Sequence, residues 1–162
     1  MSKRNLSSEL DLLLRIIDEG FQKKAWHGPN LRGSIRGLTA HQAAWRPAPG
    51  RHNIWEIVVH AAYWKYAVRR RILGEKRGSF PVKGSNWFKR PLNPDEQSWR
   101  EDVELLVRQH QEMRAAIEGI GSRLHTTRPG TRTSNATLIY GIAAHDVYHA
   151  GQIQVLKRLQ RT

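Results

Sequence analysis

From Leu138 onward, steps of four and three residues land in turn on Leu138, Ile142, His145, His149, Gln152, Leu156 and Leu159. That spacing is the seam a helix turns toward a bundle interior. Three stripes of the same kind precede it: Leu6, Leu10, Leu13, Ile17 and Phe21; then Ile57, His60, Trp64 and Ala67; then Trp99, Val103, Leu106, His110, Met113, Ile117 and Ile120. No run alternates apolar and polar residues with the period of two that a half-buried strand needs. Four helical stripes without a strand pattern confine the chain to an all-α fold, a four-helix bundle.

Breakers and caps set the expected limits at Asn5–Trp26, Asn53–Leu73, Asn93–Ile120 and Asn135–Arg161. Gly28-Pro29 stops the first helix, because Gly accepts a left-handed C-cap and Pro cannot continue. Asn30–Ala40, with Gly33 and Gly37, reads as a linker, and Thr39-Ala-His-Gln42 has the spacing of a capping box for a turn or two before Arg46-Pro47. Pro47-Ala-Pro49-Gly50 is a turn. Asn53 is placed to cap the second helix, with Glu56 at the position that reaches back to the cap amide. Asn93 is placed to cap the third, with Pro94 in its first turn. Thr126–Asn135 is a polar turn carrying Pro129-Gly130, and Ser134 or Asn135 caps the last helix.

At 162 residues the chain suits one domain, residues 1–162, large enough to bury a core without staples. No apolar run reaches the roughly 18 residues of a membrane span, and Met-Ser-Lys-Arg-Asn does not open a secretory signal. The chain has no cysteine, which excludes thiolate ligands, disulfides and a cysteine nucleophile. A cytoplasmic location is the expectation. Lys+Arg outnumber Asp+Glu by 27 to 14, a net charge of +13, so polyanion partners have to be considered. No reading helix or aromatic platform accompanies the charge; any nucleic-acid binding is expected to be weak, electrostatic and without sequence preference.

The polar residues inside the last seam carry the functional signal. His145 and His149 stand one helical turn apart, so both imidazoles project from one face at a spacing that can grip a metal ion. Buried imidazoles satisfied by ordinary hydrogen bonds are the alternative, so a third ligand has to be found. His60, in the seam of the second helix with Trp64 one turn on, is the best candidate. His110 sits mid-seam in the third helix, where a fourth ligand is one reading and a partner of a ligand or a buried core histidine is the expectation. His52 lies before its helix, in an exposed loop. Tyr148 and Trp64 neighbour the candidate ligands and either wall a pocket or belong to the core, and Gln152 follows His149 by one turn as an orienting group or a core hydrogen bond. Basic residues crowd the end of the second helix and the loop beyond it, Arg69, Arg70, Arg71, Lys76, Arg77, Lys83, Lys89 and Arg90, and this long connection is expected to act as a lid or an anion-binding edge.

The run from Trp45-Arg-Pro-Ala-Pro-Gly through Trp55-Glu-Ile-Val-Val-His60-Ala-Ala-Tyr-Trp64, followed far downstream by His145-Asp-Val-Tyr-His149-Ala-Gly-Gln152, resembles the DinB superfamily of four-helix-bundle metalloenzymes over most of the chain. The resemblance implies an up-down-down-up bundle with long crossover connections and a divalent metal held by three histidines, here His60, His145 and His149. It also implies frequent homodimers, and activities described as thiol-dependent transfer or isomerisation and metal-dependent hydrolysis.

Three neutral imidazoles leave the charge of an ion uncancelled and a coordination position open, the arrangement that activates water or a low-molecular-weight thiol. Zinc or nickel suits such a site, and imidazole ligation does not choose between them. No general base is legible. The expected function is therefore a metal-dependent hydrolase or thiol transferase acting on a small, anionic substrate; a basic nucleic-acid-binding or interaction bundle in a DNA-damage or stress response is the alternative.

Overall fold

In a computed structural model of the chain, residues 3–127 and 130–161 are described, with side chains from Ser8 onward. The side chain of Leu6, in the first expected stripe, and Pro129, in the expected turn, lie outside the described residues. The chain forms α1 (Lys3–Phe21), α2 (Leu31–Ile35), α3 (Ala40–Ala44), α4 (Ile54–Leu73), α5 (Glu96–Glu118), a 3-10 turn at Gly121–His125, and α6 (Asn135–Leu159). Among the described residues there is no strand, only a bridge between Thr127 and Ser134.

The long helices close a ring in which α4 packs on α5 and α6, and α1 packs on the same two. Their limits follow local chemistry. Asn53 caps α4 by accepting from the Glu56 amide, and the chain leaves α4 at Gly74 with φ of 76°, the left-handed C-cap that glycine adopts without strain. Ser134 caps α6 by accepting from Thr137. Thr39 and Gln42 form the expected capping box of α3.

Several expectations are corrected. The cap of α5 is Asp95, which accepts from Ser98, so Asn93 and Pro94 precede the helix. The carboxylate brings to the N-terminal dipole a charge that Asn93 lacks. The expected linker contains α2, capped by Asn30, because Leu31 and Ile35 bury against the core. The helix at the N-terminus ends at Phe21, five residues short of Trp26, which is fully exposed at 100%. Glu56 does not reach back to Asn53. Its carboxylate takes Arg46 and His52 instead, which holds it below the usual carboxylate range although burial alone raises it.

The buried stripe of α6 is Ile139, Ile142, Ala143, Asp146, His149, Ala150, Ile153 and Leu156. It is rotated from the expected seam, so His145 and Gln152 fall at its half-buried edge and Leu159 is exposed. One apolar cluster gathers Phe21, Ile54, Ile57, Val58, Ala61, Leu105, Leu106, Ile153 and Leu156; a second gathers Leu13, Ile17, Val68, Met113, Ile117, Ile139 and Ala143. On α4, α5 and α6 buried polar side chains fall between the two clusters: Lys65, Gln109 with His110, and Asp146 with His149. A polar layer thus crosses the bundle at mid-height, and the histidine site lies along it.

Candidate metal centre

His60 enters from α4, and His145 and His149 from one face of α6. His145 Nε2 lies 3.1 Å from His60 Nε2 and 3.0 Å from His149 Nε2, and the ligand atoms of the three rings all fall within 4.8 Å of one another. His60 and His149 are buried and His145 is half-buried.

The outward nitrogens show which tautomers are present. His60 Nδ1 donates to the Asn86 carbonyl at 2.8 Å, and His149 Nδ1 donates to Gln152 Oε1 at 2.7 Å. Each leaves a bare lone pair on Nε2, aimed inward. One proton on His145 Nε2 can serve only one of these lone pairs, whereas a cation among them serves all. The two Nε2 separations of 3.0 and 3.1 Å are short enough for neighbouring rings to share one ion at the usual metal–imidazole distance of about 2.0–2.1 Å. The donor set therefore fits a divalent ion.

Electrostatics favour the same state. Burial pushes His145 down to about 3, helped by the neighbouring His149 and His60, and pushes His149 down to about 4 against the bond to Gln152. Burial also lowers His60, partly offset by the Asn86 carbonyl. All three are neutral at physiological pH, so no imidazolium has to give up its charge before an ion binds.

The shell around the rings is built by side chains the sequence singled out and by others it did not. Gln152 orients His149 and donates to the Tyr148 hydroxyl at 3.0 Å. Tyr148 is 63% exposed, with its ring 5.0 Å from that of His149, so it is a wall of the site and not core. The Trp64 ring lies 6.4 Å from both His60 and His145, and its Nε1 donates to Asn86 Oδ1 at 3.0 Å. His110 lies outside the cluster: it stacks on Phe21 at 3.7 Å, and neither ring nitrogen has a hydrogen-bond partner among the described residues.

Sequence reasoning missed Asn86, Trp87, Lys65 and Asp146. The loop after α4 closes over His60 through the Asn86 carbonyl and through Trp87, which stacks on both His60 and His52. His52 is exposed, as expected, and through this stack it stands at the edge of the site. The one local sign was Ser85-Asn86 after Gly84, since asparagine tolerates the left-handed conformation that Asn86 adopts with φ of 63°. Lys65 and Asp146 form a fully buried ion pair joining the two ligand-bearing helices, immediately beside His145. Burial lowers the Lys65 ammonium and raises the Asp146 carboxyl, and each is partly restored by the other.

The basic end of α4 is largely committed. Arg69 pairs with Glu75 and Glu112, Arg70 donates to the Glu75 carbonyl, Arg90 pairs with Asp102, and Arg71 lies over the Trp64 ring. No described helix is long and apolar enough to cross a membrane.

No curated protein and no solved structure matches the chain significantly. The family model of the DinB superfamily matches residues 25–153, which span α2 to most of α6 and include all three histidines; the chain belongs to the DinB superfamily, and its all-α fold is consistent with that.

Proposed function

We propose that the protein is a metal-dependent enzyme, a hydrolase or thiol transferase acting on a small molecule at the triple-histidine centre. The observation that carries this reading is the convergence of three Nε2 atoms, two of them fixed as bare lone pairs by Asn86 and Gln152. When bound, a zinc or nickel ion supplies Lewis acidity toward water, a low-molecular-weight thiol or a substrate oxygen. Donors from only three side chains leave room for such a reactant, whereas a structural zinc site is closed by four.

The chain's own residues set the conditions for that chemistry. The Asn86 carbonyl and Gln152 hold the ligand rings in the binding tautomer and raise their basicity. Trp87 covers His60 and keeps bulk water from that side, and the polar layer with the Lys65–Asp146 pair fixes α4 against α6 and so fixes the spacing of His60 to His145. A nucleic-acid role draws less support, since Arg46, Arg69, Arg90 and Arg114 each pair with acidic side chains of the same chain.

The test is metal analysis of the purified protein, followed by assays of ester and amide hydrolysis and of thiol addition to electrophiles with zinc and nickel. About one ion per chain, and an activity lost in His145→Ala, are expected. Stoichiometric metal in His145→Ala, or no activity above that variant with either metal, removes the reading.

A further inference from the structure

Beside the histidine cluster a cleft of about 720 Å³ runs along α6, walled by Pro47, Ile57, Trp87, Tyr148, Val155 and Leu156, with Arg51, His52 and Gln152 as its polar members. Trp87 and Gln152 belong at once to this cleft and to the shell of the centre, through the stack on His60 and the bond to His149. Its size is that of a pocket for a small organic ligand. Its walls are mainly apolar, and Tyr148 and Val155 are exposed at 63% and 57%, a cost that a bound apolar group removes.

The polar members give the ligand a sign. No acidic residue lines the cleft. Glu56, the nearest carboxylate in sequence, is taken up by Arg46 and His52. The Arg51 guanidinium has no ion-pair partner among the described residues, unlike Arg46, Arg69, Arg90 and Arg114, and is the one arginine that lines this cleft. An unpaired, planar guanidinium at the rim of an apolar cleft is a site for a carboxylate, which it meets with two parallel charge-assisted hydrogen bonds.

We infer that this cleft is the substrate pocket and takes a monocarboxylate with an aromatic or medium-length alkyl body, its carboxylate on Arg51 and its body between Trp87 and the Tyr148–Val155 face of α6. The inference rests on the proposed function for the identity of the ligand as substrate, and on the cleft alone for its chemistry. It moves the anion-selecting role from the basic end of α4, where the sequence placed it, to the loop before α4.

The test is calorimetric titration of the full chain with 4-phenylbutyrate and octanoate and with the corresponding neutral amides, on metal-stripped and on zinc-loaded protein, with the metal content measured separately. The stripped arm excludes direct coordination of the carboxylate. In that arm the acids are expected to bind about tenfold more tightly than the amides, the margin of a charge-assisted hydrogen bond. Arg51→Gln is expected to erase that preference without weakening the amides, and Val155→Glu to weaken both classes. Equal binding of acid and amide, or a preference that survives Arg51→Gln, overturns the inference. So does a protein that holds one zinc per chain and binds none of the probes, which leaves the metal reading standing. So does a dimer by light scattering that Val155→Glu converts to monomer and that binds no acid, since the cleft is then covered by a second copy. Acid-selective binding in a chain that takes up no zinc supports the cleft and removes the metal reading.

Discussion

The indole of Trp87 lies flat on the imidazole of His60, ring centroids 3.9 Å apart and planes inclined by 12°. The loop that delivers it also delivers the Asn86 carbonyl, from a backbone conformation that a β-branched residue does not adopt without strain. Asn86→Val is therefore expected to displace the carbonyl and weaken metal binding about tenfold or more, as the loss of an orienting partner does. Asn86→Gly keeps the backbone, loses only the acceptor for Trp64, and is expected to bind nearly as the unaltered chain. Chelator-competition titrations compare the two; equal affinities would mean that the carbonyl does not orient His60.

On α6, removal of a ligand and removal of its orienting partner should differ in degree. His149→Ala is expected to lose stoichiometric metal while its helical circular dichroism persists, because the apolar clusters on either side of the polar layer are untouched. Gln152→Ala is expected to retain the site with affinity about 10–100-fold lower. Metal analysis after gel filtration and competition titration separate these outcomes.

The buried pair makes a prediction about stability. Truncating either member strands the other charge in the core, so Lys65→Ala and Asp146→Ala are each expected to cost about 3–5 kcal/mol. The double change Lys65→Met with Asp146→Leu leaves no charge behind and should recover most of that loss. Urea unfolding of the three variants decides; a double variant no more stable than the worse single one argues against a simple desolvation account.

His110 makes a prediction about pH. Burial, aided by the positive charge of Lys65, pushes its pKa down from 6.5 to about 2. Below pH 6.5 the unfolded chain takes up a proton there that the folded chain refuses, so stability falls with falling pH. Integrated from pH 6.5 to pH 5, the loss from this one side chain is about 2 kcal/mol. The ligand histidines act in the same direction in metal-free protein, so the informative quantity is the difference from His110→Phe. That variant should show a shallower loss over this interval by guanidinium unfolding at a series of pH values.

The helical stripes were legible because α1 and α5 each bury apolar residues at helical spacing: Leu13, Ile17 and Phe21 on α1, and Trp99, Leu106, Met113 and Ile117 on either side of His110 on α5, all lie in the core. The triad was legible through the family pattern and the i, i+4 pair. The rotation of α6 was not, because Asp146 reads as a surface residue until Lys65 is brought against it from another helix. A residue eighty-one positions away decides which face is inside. Asn86 and Trp87 were hidden for a related reason. What the loop supplies to His60 is a main-chain carbonyl and a ring face, and neither is a property of residue spacing.

Residues between α4 and α5 have no helix of their own, and loops of this kind open at a lower free energy than the helices they join. Because Asn86 and Trp87 sit side by side in that stretch, one local opening withdraws the hydrogen-bond acceptor of His60 and its stacking partner together. Release of an ion held there is then expected to follow the same opening as amide hydrogen exchange in the loop. An ion in the centre would owe its residence time to a segment that contributes no ligand atom to it.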